Sequence, residues 1–225
     1  MLKRQNGSAF NVSGKFETPN GISSTAGYSL IETLIVFALI GVLTSIALPQ
    51  IIVQRRLTRS VGIPREIMTQ LREARQLAMS QRQAFTFRYD NTAKQISVID
   101  HNSNPGGSLL SDPAFPTTAG SKVILSVPLA ESSVSADMAY GIPTGLPAAA
   151  LGDGIALTPL NNQAFTVTFQ PDGSVIKSNG DPDDRAFFIY NARAPQATAS
   201  AISIVGASGR VKLWRYDKVA NVYAE

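Results

Sequence analysis

Residues Tyr28 to Val53 read YSLIETLIVFALIGVLTSIALPQIIV, with Glu32 as the single charge in the run. As a helix at ~1.5 Å per residue this stretch is about 39 Å long, enough to cross a hydrocarbon core of ~30 Å with some tilt. No other segment of the sequence is as long and apolar. A carboxylate inside such a span costs roughly 2.5–3.5 kcal/mol near the helix centre and less towards an end, so it asks for a partner. Gly27 stands just before the stretch, preceded by Ser23, Ser24, Thr25 and Ala26. A cut between Gly27 and Tyr28 creates a cationic α-amine about one helical turn from Glu32. It lies at a depth from which it can neutralise Glu32 of a neighbouring chain.

Gly27-Tyr28-Ser29-Leu30-Ile31-Glu32 resembles the type III signal of type IV pilins and pseudopilins. That resemblance implies cleavage after Gly27 by a prepilin peptidase, methylation of the Tyr28 amine, and an assembly role for Glu32, fifth in the mature chain. Gly41 and Pro49 fall where pilins tend to carry a helix glycine and a kink proline. Ala26 in place of a basic residue, Tyr28 in place of Phe or Met, and the long leader depart from the pattern. Two other readings are open on the residues alone. An ordinary secretory signal takes Leu34 to Leu43 as its apolar core and Ser45-Ile46-Ala47 as its cleavage site, with Glu32 left beside the core. A plain membrane anchor explains the apolarity but not the spacing of Glu32 from Gly27.

The domain plan follows. Residues 1–27 form a polar leader, 28–83 an N-terminal helix spanning the membrane over about 30–52, and 84–225 a β-rich domain. The fold class expected is α+β, a long helix packed on antiparallel sheet, pilin-like. Beyond the apolar run, Ile67, Leu71, Ala74 and Ala78 recur at spacings of four and three, one stripe of an amphipathic helix. Pro49 should bend that helix, and Gly62 with Pro64 should mark a second break or kink.

Hairpins are expected at Ala84–Tyr89 with Gln95–Ile99, at Ala164–Gln170 with Ser174–Lys177 across Pro171-Asp172-Gly173, and at Ala201–Val205 with Arg210–Tyr216. Lys122–Leu129 and Ala186–Asn191 read as further strands. Asn102–Gly120 reads as loop. Ala130–Gln163 shows no clear pattern, and a stretch of that length suggests a functional or mobile segment. The run Phe169-Gln170-Pro171-Asp172-Gly173-Ser174, with Gly209-Arg210 further on, is similar to the GspH/FimT group of pseudopilins and minor pilins.

Composition restricts the chemistry. Cysteine is absent, so thiol catalysis and disulfide stapling are excluded. One histidine, His101, sits in a polar stretch and reads as a solvated loop residue. No nucleophile–base pair, glycine-rich phosphate loop or metal-ligand spacing is present, so no catalytic residue, cofactor or metal is assigned. Asn179, Asp181, Asp183 and Asp184 offer oxygens for a hard cation without the spacing of an EF-hand.

The net charge of +4 conceals an asymmetry: Arg55 to Arg88 holds eight arginines and two glutamates. Lys3, Arg4 and Lys15 precede the apolar run while Arg55, Arg56 and Arg59 follow it, so the positive-inside rule is silent. The pilin resemblance supplies the topology: leader in the cytoplasm, a single pass through the inner membrane, and the C-terminal domain in the periplasm or an extracellular filament. It also implies the partners: a prepilin peptidase, other pilins or pseudopilins, and an inner-membrane assembly platform. The system served, type II secretion pseudopilus, type IV pilus or competence pilus, is not readable. The alternative function is DNA binding. Arg210, Lys212 and Arg215 surround a hairpin with Trp214 and Tyr216 interleaved, and some FimT-like minor pilins bind DNA through a glycine-arginine motif. Here that stretch is Gly209-Arg210-Val211-Lys212. Strand alternation places Arg210 and Lys212 on one face, which is also the pattern of a half-buried strand.

Overall fold

Apolar residues one turn apart make the first element, and the computed structural model, which describes residues 29–101, 121–147 and 150–225, shows it as one helix. Helix α1 runs over Leu30–Gln81, 52 residues, with the Glu32 and Thr33 amides bonded to the Ser29 carbonyl at its start. The chain divides into two compact units after Ile46. In the first, every described side chain is exposed, Leu30 at 81% and Phe37 at 73%. Three hydroxyls of its helix are satisfied by carbonyls of the preceding turn: Thr33 donates to Leu30 at 2.8 Å, Thr44 to Ile40 at 2.7 Å and Ser45 to Val42 at 2.7 Å. Such back-bonding spares these three donors a need for water, which suits an apolar surrounding.

In the second unit the stripe expected from spacing is the buried one. Ile67, Leu71, Ala74 and Ala78 are all at 0% exposure, and Ile63 extends the line one turn earlier at 3%. Of the break or kink expected at Gly62 and Pro64, the break does not occur, since α1 continues through both. A proline inside a helix costs about 3 kcal/mol. Burying Ile63 and Ile67 on either side of a buried Pro64 returns about 1.5–3 kcal/mol each, which offsets that cost.

Two antiparallel sheets complete this unit. Strands β1 (Phe85–Asp90) and β2 (Gln95–Asp100) form the expected hairpin, with Asp90 opposite Gln95. Asp90 fixes its turn by accepting from the amides of Thr92 and Ala93 at 2.9 and 2.8 Å. Strand β3 (Lys122–Pro128) pairs with β2, as expected of that segment, while residues 102–120 lie outside the described ones.

The segment read as patternless is structured. It holds α2 (Ser132–Ser135), β4 (Met138–Tyr140) and the buried Leu146, Leu151 and Ile155. Elements of three and four residues are too short to show a period, so sequence pattern missed them. Strand β5 (Ala164–Phe169) pairs with β1, not with Ser174–Lys177, so the second expected hairpin is wrong. The turn itself is present, with the Gly173 amide bonded to the Gln170 carbonyl. After it, however, the Val175 amide bonds to the Gly206 carbonyl. Strand β5 pairs with β1 at six positions and ends the sheet, while Val175 spends its amide on Gly206 and its carbonyl on the Asp183 amide, so 174–177 is drawn away from the open edge of β5.

The first sheet is ordered β3-β2-β1-β5. The second contains β6 (Arg185–Asn191), α3-preceded β7 (Ser200–Val205, α3 being Pro195–Thr198), β8 (Arg210–Asp217) and β9 (Val222–Ala224), in the order β4-β6-β7-β8-β9. The β7–β8 hairpin is as expected; α3 and β9 were not foreseen. The main core gathers the α1 stripe with Phe87, Tyr89, Phe165 and Phe187. On β6 alternate residues face opposite ways, and both sides are covered. Phe187 and Ile189 join the main core, whereas Ala186 and Phe188 join a second one with Leu151, Ile155, Trp214 and Tyr223. The observed class is α+β, a long N-terminal helix with antiparallel sheets, as the sequence predicts.

Candidate functional site

The sequence-predicted site residues fall in separate places. Glu32 is exposed in the first turn of α1, where a carboxylate also complements the helix dipole. Gly27 and Tyr28, the predicted cleavage and methylation residues, lie outside the described residues.

The three cations of the C-terminal strand do not act alike. Arg210 is exposed and its guanidinium is 4.0 Å from Glu225. Lys212 is 3.0 Å from the same carboxylate, with its ammonium 5.1 Å from the Trp214 ring centroid. Arg215 is exposed. Trp214 is 6% exposed, its indole N–H donates to Ser203 Oγ at 2.8 Å, and Gly152 packs over its six-membered ring. It is a core residue and is not presented for stacking on a base.

Sequence reasoning missed the arrangement that holds Arg210 in place. Arg75, half-buried on α1, donates from Nε to the Gly173 carbonyl at 3.2 Å and from Nη2 to the Ser208 carbonyl at 3.0 Å. Arg72 donates to the Val211 carbonyl at 3.3 Å. Helix, Asp-Gly turn and β7–β8 turn are thereby joined by two guanidiniums. Gly173 and Gly209 have φ of +82° and +61°, the left-handed region that glycine adopts without strain. Asp172 caps the first turn through the Ser174 amide and hydroxyl, and those two bonds hold its carboxyl below the usual range. Arg72, Arg75, Gln76, Ser208, Gly209 and Arg210 line one open cleft of ≈ 510 Å³. The available signal was the helical spacing of Arg72 and Arg75, but nothing local pairs them with a turn over 130 residues away.

His101 is not a solvated loop residue. It is 3% exposed, with Nε2 3.0 Å from Thr86 Oγ1 and Nδ1 2.9 Å from Ser121 Oγ. Thr86 Oγ1 in turn lies 2.6 Å from Thr168 Oγ1. Burial pushes the imidazole down to about 4. The acidic turn is likewise engaged within the protein. Asp181 accepts from the Asn179 amide group at 2.6 Å, Asp183 pairs with Arg185 at 2.6 Å, and Asp184 accepts the Gly206 amide at 2.7 Å. Among the described residues no three acidic, histidine or cysteine side chains converge as a metal site.

No family model and no curated protein matches the chain. Among solved structures it is similar to the type IV minor pilin FimU of Pseudomonas aeruginosa. Identity is 16% over 71% of this chain and 89% of that one, with a TM-score of 0.40. It is also similar to the minor pseudopilin EpsH from the Type 2 Secretion System of Vibrio cholerae. There identity is 11% over 67% of this chain and 91% of that one, again with a TM-score of 0.40. At such identities and superpositions neither protein's role passes to this chain.

Proposed function

We propose that this chain is a minor pilin or pseudopilin, a structural subunit and not an enzyme. In this reading a prepilin peptidase cuts between Gly27 and Tyr28 and methylates Tyr28. The mature subunit, anchored once in the inner membrane, then joins other pilins or pseudopilins at an assembly platform. One observation carries the reading. The Gly27-Tyr28 and Glu32 motif heads a helix whose described side chains from Ser29 to Leu48 are all exposed in the single chain. An apolar surface of that extent demands cover, and lipid before assembly and other helices after it would supply that cover. The stripe from Ile63 to Ala78 is by contrast already buried under the sheets.

Mass spectrometry of the protein extracted from its host's membranes tests the reading. A mature chain beginning at N-methylated Tyr28 is expected. A terminus at Leu48 would support the signal-peptide alternative instead.

A second reading, a DNA-binding minor pilin of an uptake pilus, is favoured by one arrangement. Arg72, Arg75 and Arg210 share an open cleft beside the Gly209 backbone. A phosphate could be held there without any base contact.

A further inference from the structure

The apolar run ends against an unbalanced cluster of arginines. Ile52, Arg55, Arg56 and Arg59 stand at i, i+3, i+4 and i+7 of α1, hence on one helix face. The same four line a cleft whose other side is Glu131, Ser133 and Val134, at the start of α2. Three guanidiniums therefore meet one carboxylate. Glu131 pairs with Arg59, and among the described residues no carboxylate lies within ion-pair distance of Arg55 or Arg56. Arg55 is exposed and Arg56 half-buried.

Position along the helix selects the occupant. From Leu30 to Ile52 the helix rises roughly 33 Å, against a hydrocarbon core of ~30 Å. Arg55 to Arg59 then lie one to two turns past the hydrocarbon edge, at the level of lipid phosphates. Guanidinium groups match phosphate oxygens in fork geometry, and the arginine stems can lie along acyl carbons while their heads stay polar. Ile52, 53% exposed, is the apolar end of the same cleft.

We propose that the Arg55–Arg56–Arg59 cleft binds the phosphate headgroup of an anionic phospholipid, with Ile52 against the adjoining acyl carbons. Glu131 tunes this site by neutralising Arg59. The proposal rests on the reading of α1 as a membrane span.

The test uses the full chain reconstituted in phosphatidylcholine vesicles carrying trace spin-labelled phosphatidylglycerol or spin-labelled phosphatidylcholine. Electron spin resonance reads the fraction of each label immobilised by protein. Labelled phosphatidylglycerol should be favoured about five-fold, a preference weakened by salt. Arg55→Gln with Arg56→Gln should bring the two labels close to parity. Glu131→Gln should raise the preference by releasing Arg59, an effect that mere loss of structure would not produce. Arg82→Gln, outside the cleft, should change nothing. If the chain floats with the vesicles but immobilises both labels equally, the headgroup site is wrong and the membrane reading survives. The same holds if the double variant keeps the wild-type preference. A chain that does not float with vesicles at all overturns both.

Discussion

The carbonyl oxygen of Gly173 lies 1.8 Å from where a β-carbon on Gly209 would be. Two turns far apart in sequence thus meet backbone to backbone, and Arg75 bonds to carbonyls on both sides of the junction. The first consequence is a stability prediction. Gly209→Ala meets backbone on one side and a φ of +61°, with strain of order 1–3 kcal/mol before the clash is counted. Each kcal/mol shifts the melting midpoint by roughly 2–4 °C in a domain of this size. A fall of about 5 °C or more is expected by circular dichroism. Gly62→Ala is the contrast: it sits inside α1 with no atom within 4 Å of the new methyl and should stabilise by about 0.5–1 kcal/mol. Equal midpoints for the two variants would show that the turn-to-turn junction does not constrain the fold.

His101 gives a pH prediction. Its imidazole is lowered to about 4 from 6.5, so between those values the unfolded chain holds a proton that the folded one lacks. Stability from this group is complete above about pH 6.5 and is lost as pH falls towards 4. Melting midpoints should decline over that window. In His101→Gln the decline should be shallower, even if the variant starts lower at pH 7 through loss of the bonds to Thr86 and Ser121. An unchanged slope would remove His101 as the titrating group.

Glu32 tests the assembly mechanism. The proposed role is to pair with the Tyr28 amine of a neighbouring subunit, because a carboxylate in a membrane persists only if paired or used. Glu32→Gln keeps size and hydrogen bonding but not charge. Cleavage and membrane insertion should remain at wild-type levels, while incorporation into filaments, followed by immunoblot of sheared fractions, should fall about ten-fold or more, on the order of one charge-assisted hydrogen bond. Wild-type assembly of this variant would reduce Glu32 to a recognition mark for processing.

The cationic cleft tests the DNA reading. If it holds phosphates, the full chain in detergent should retard duplex DNA at low ionic strength. Arg210→Ala with Lys212→Ala should weaken binding uniformly across sequences and lower the salt slope, by roughly one counterion for each phosphate no longer held. Arg210 should dominate the pair, since it lines the cleft and stands 4.0 Å from Glu225, whereas Lys212 lies outside the cleft, 3.0 Å from the same carboxylate and over the Trp214 ring. Absence of retardation at low salt leaves the structural role alone.

What could be read in the sequence was what repeats locally. The apolar run, the stripe from Ile67 to Ala78, and the hairpins closed by Asp90 and by Gly206 to Gly209 all carry their pattern within a few residues. Apart from the elements too short to show a period, the failures share one physical cause, that the deciding partner is remote. The segment after the Asp-Gly turn leaves β5 because Val175 bonds to Gly206 and Asp183, both beyond any local pattern. His101 looks solvated beside Asn102 and is instead roofed by Ser121 and floored by Thr86. The anchoring of the Gly209-Arg210 turn depends on Arg75, which the sequence offers only as one more helix cation.

Trp214 is the one tryptophan in 225 residues, and it sits beneath the Gly152 loop with its N–H bonded to Ser203. Ultraviolet excitation at its wavelength therefore interrogates a single place, the junction of that loop with the second sheet. Blue-shifted emission shielded from iodide would signal a closed junction. A red shift arriving before the loss of helical ellipticity would mean that the loop peels away first. The protein thus carries its own optical gauge for the segment least legible in its sequence.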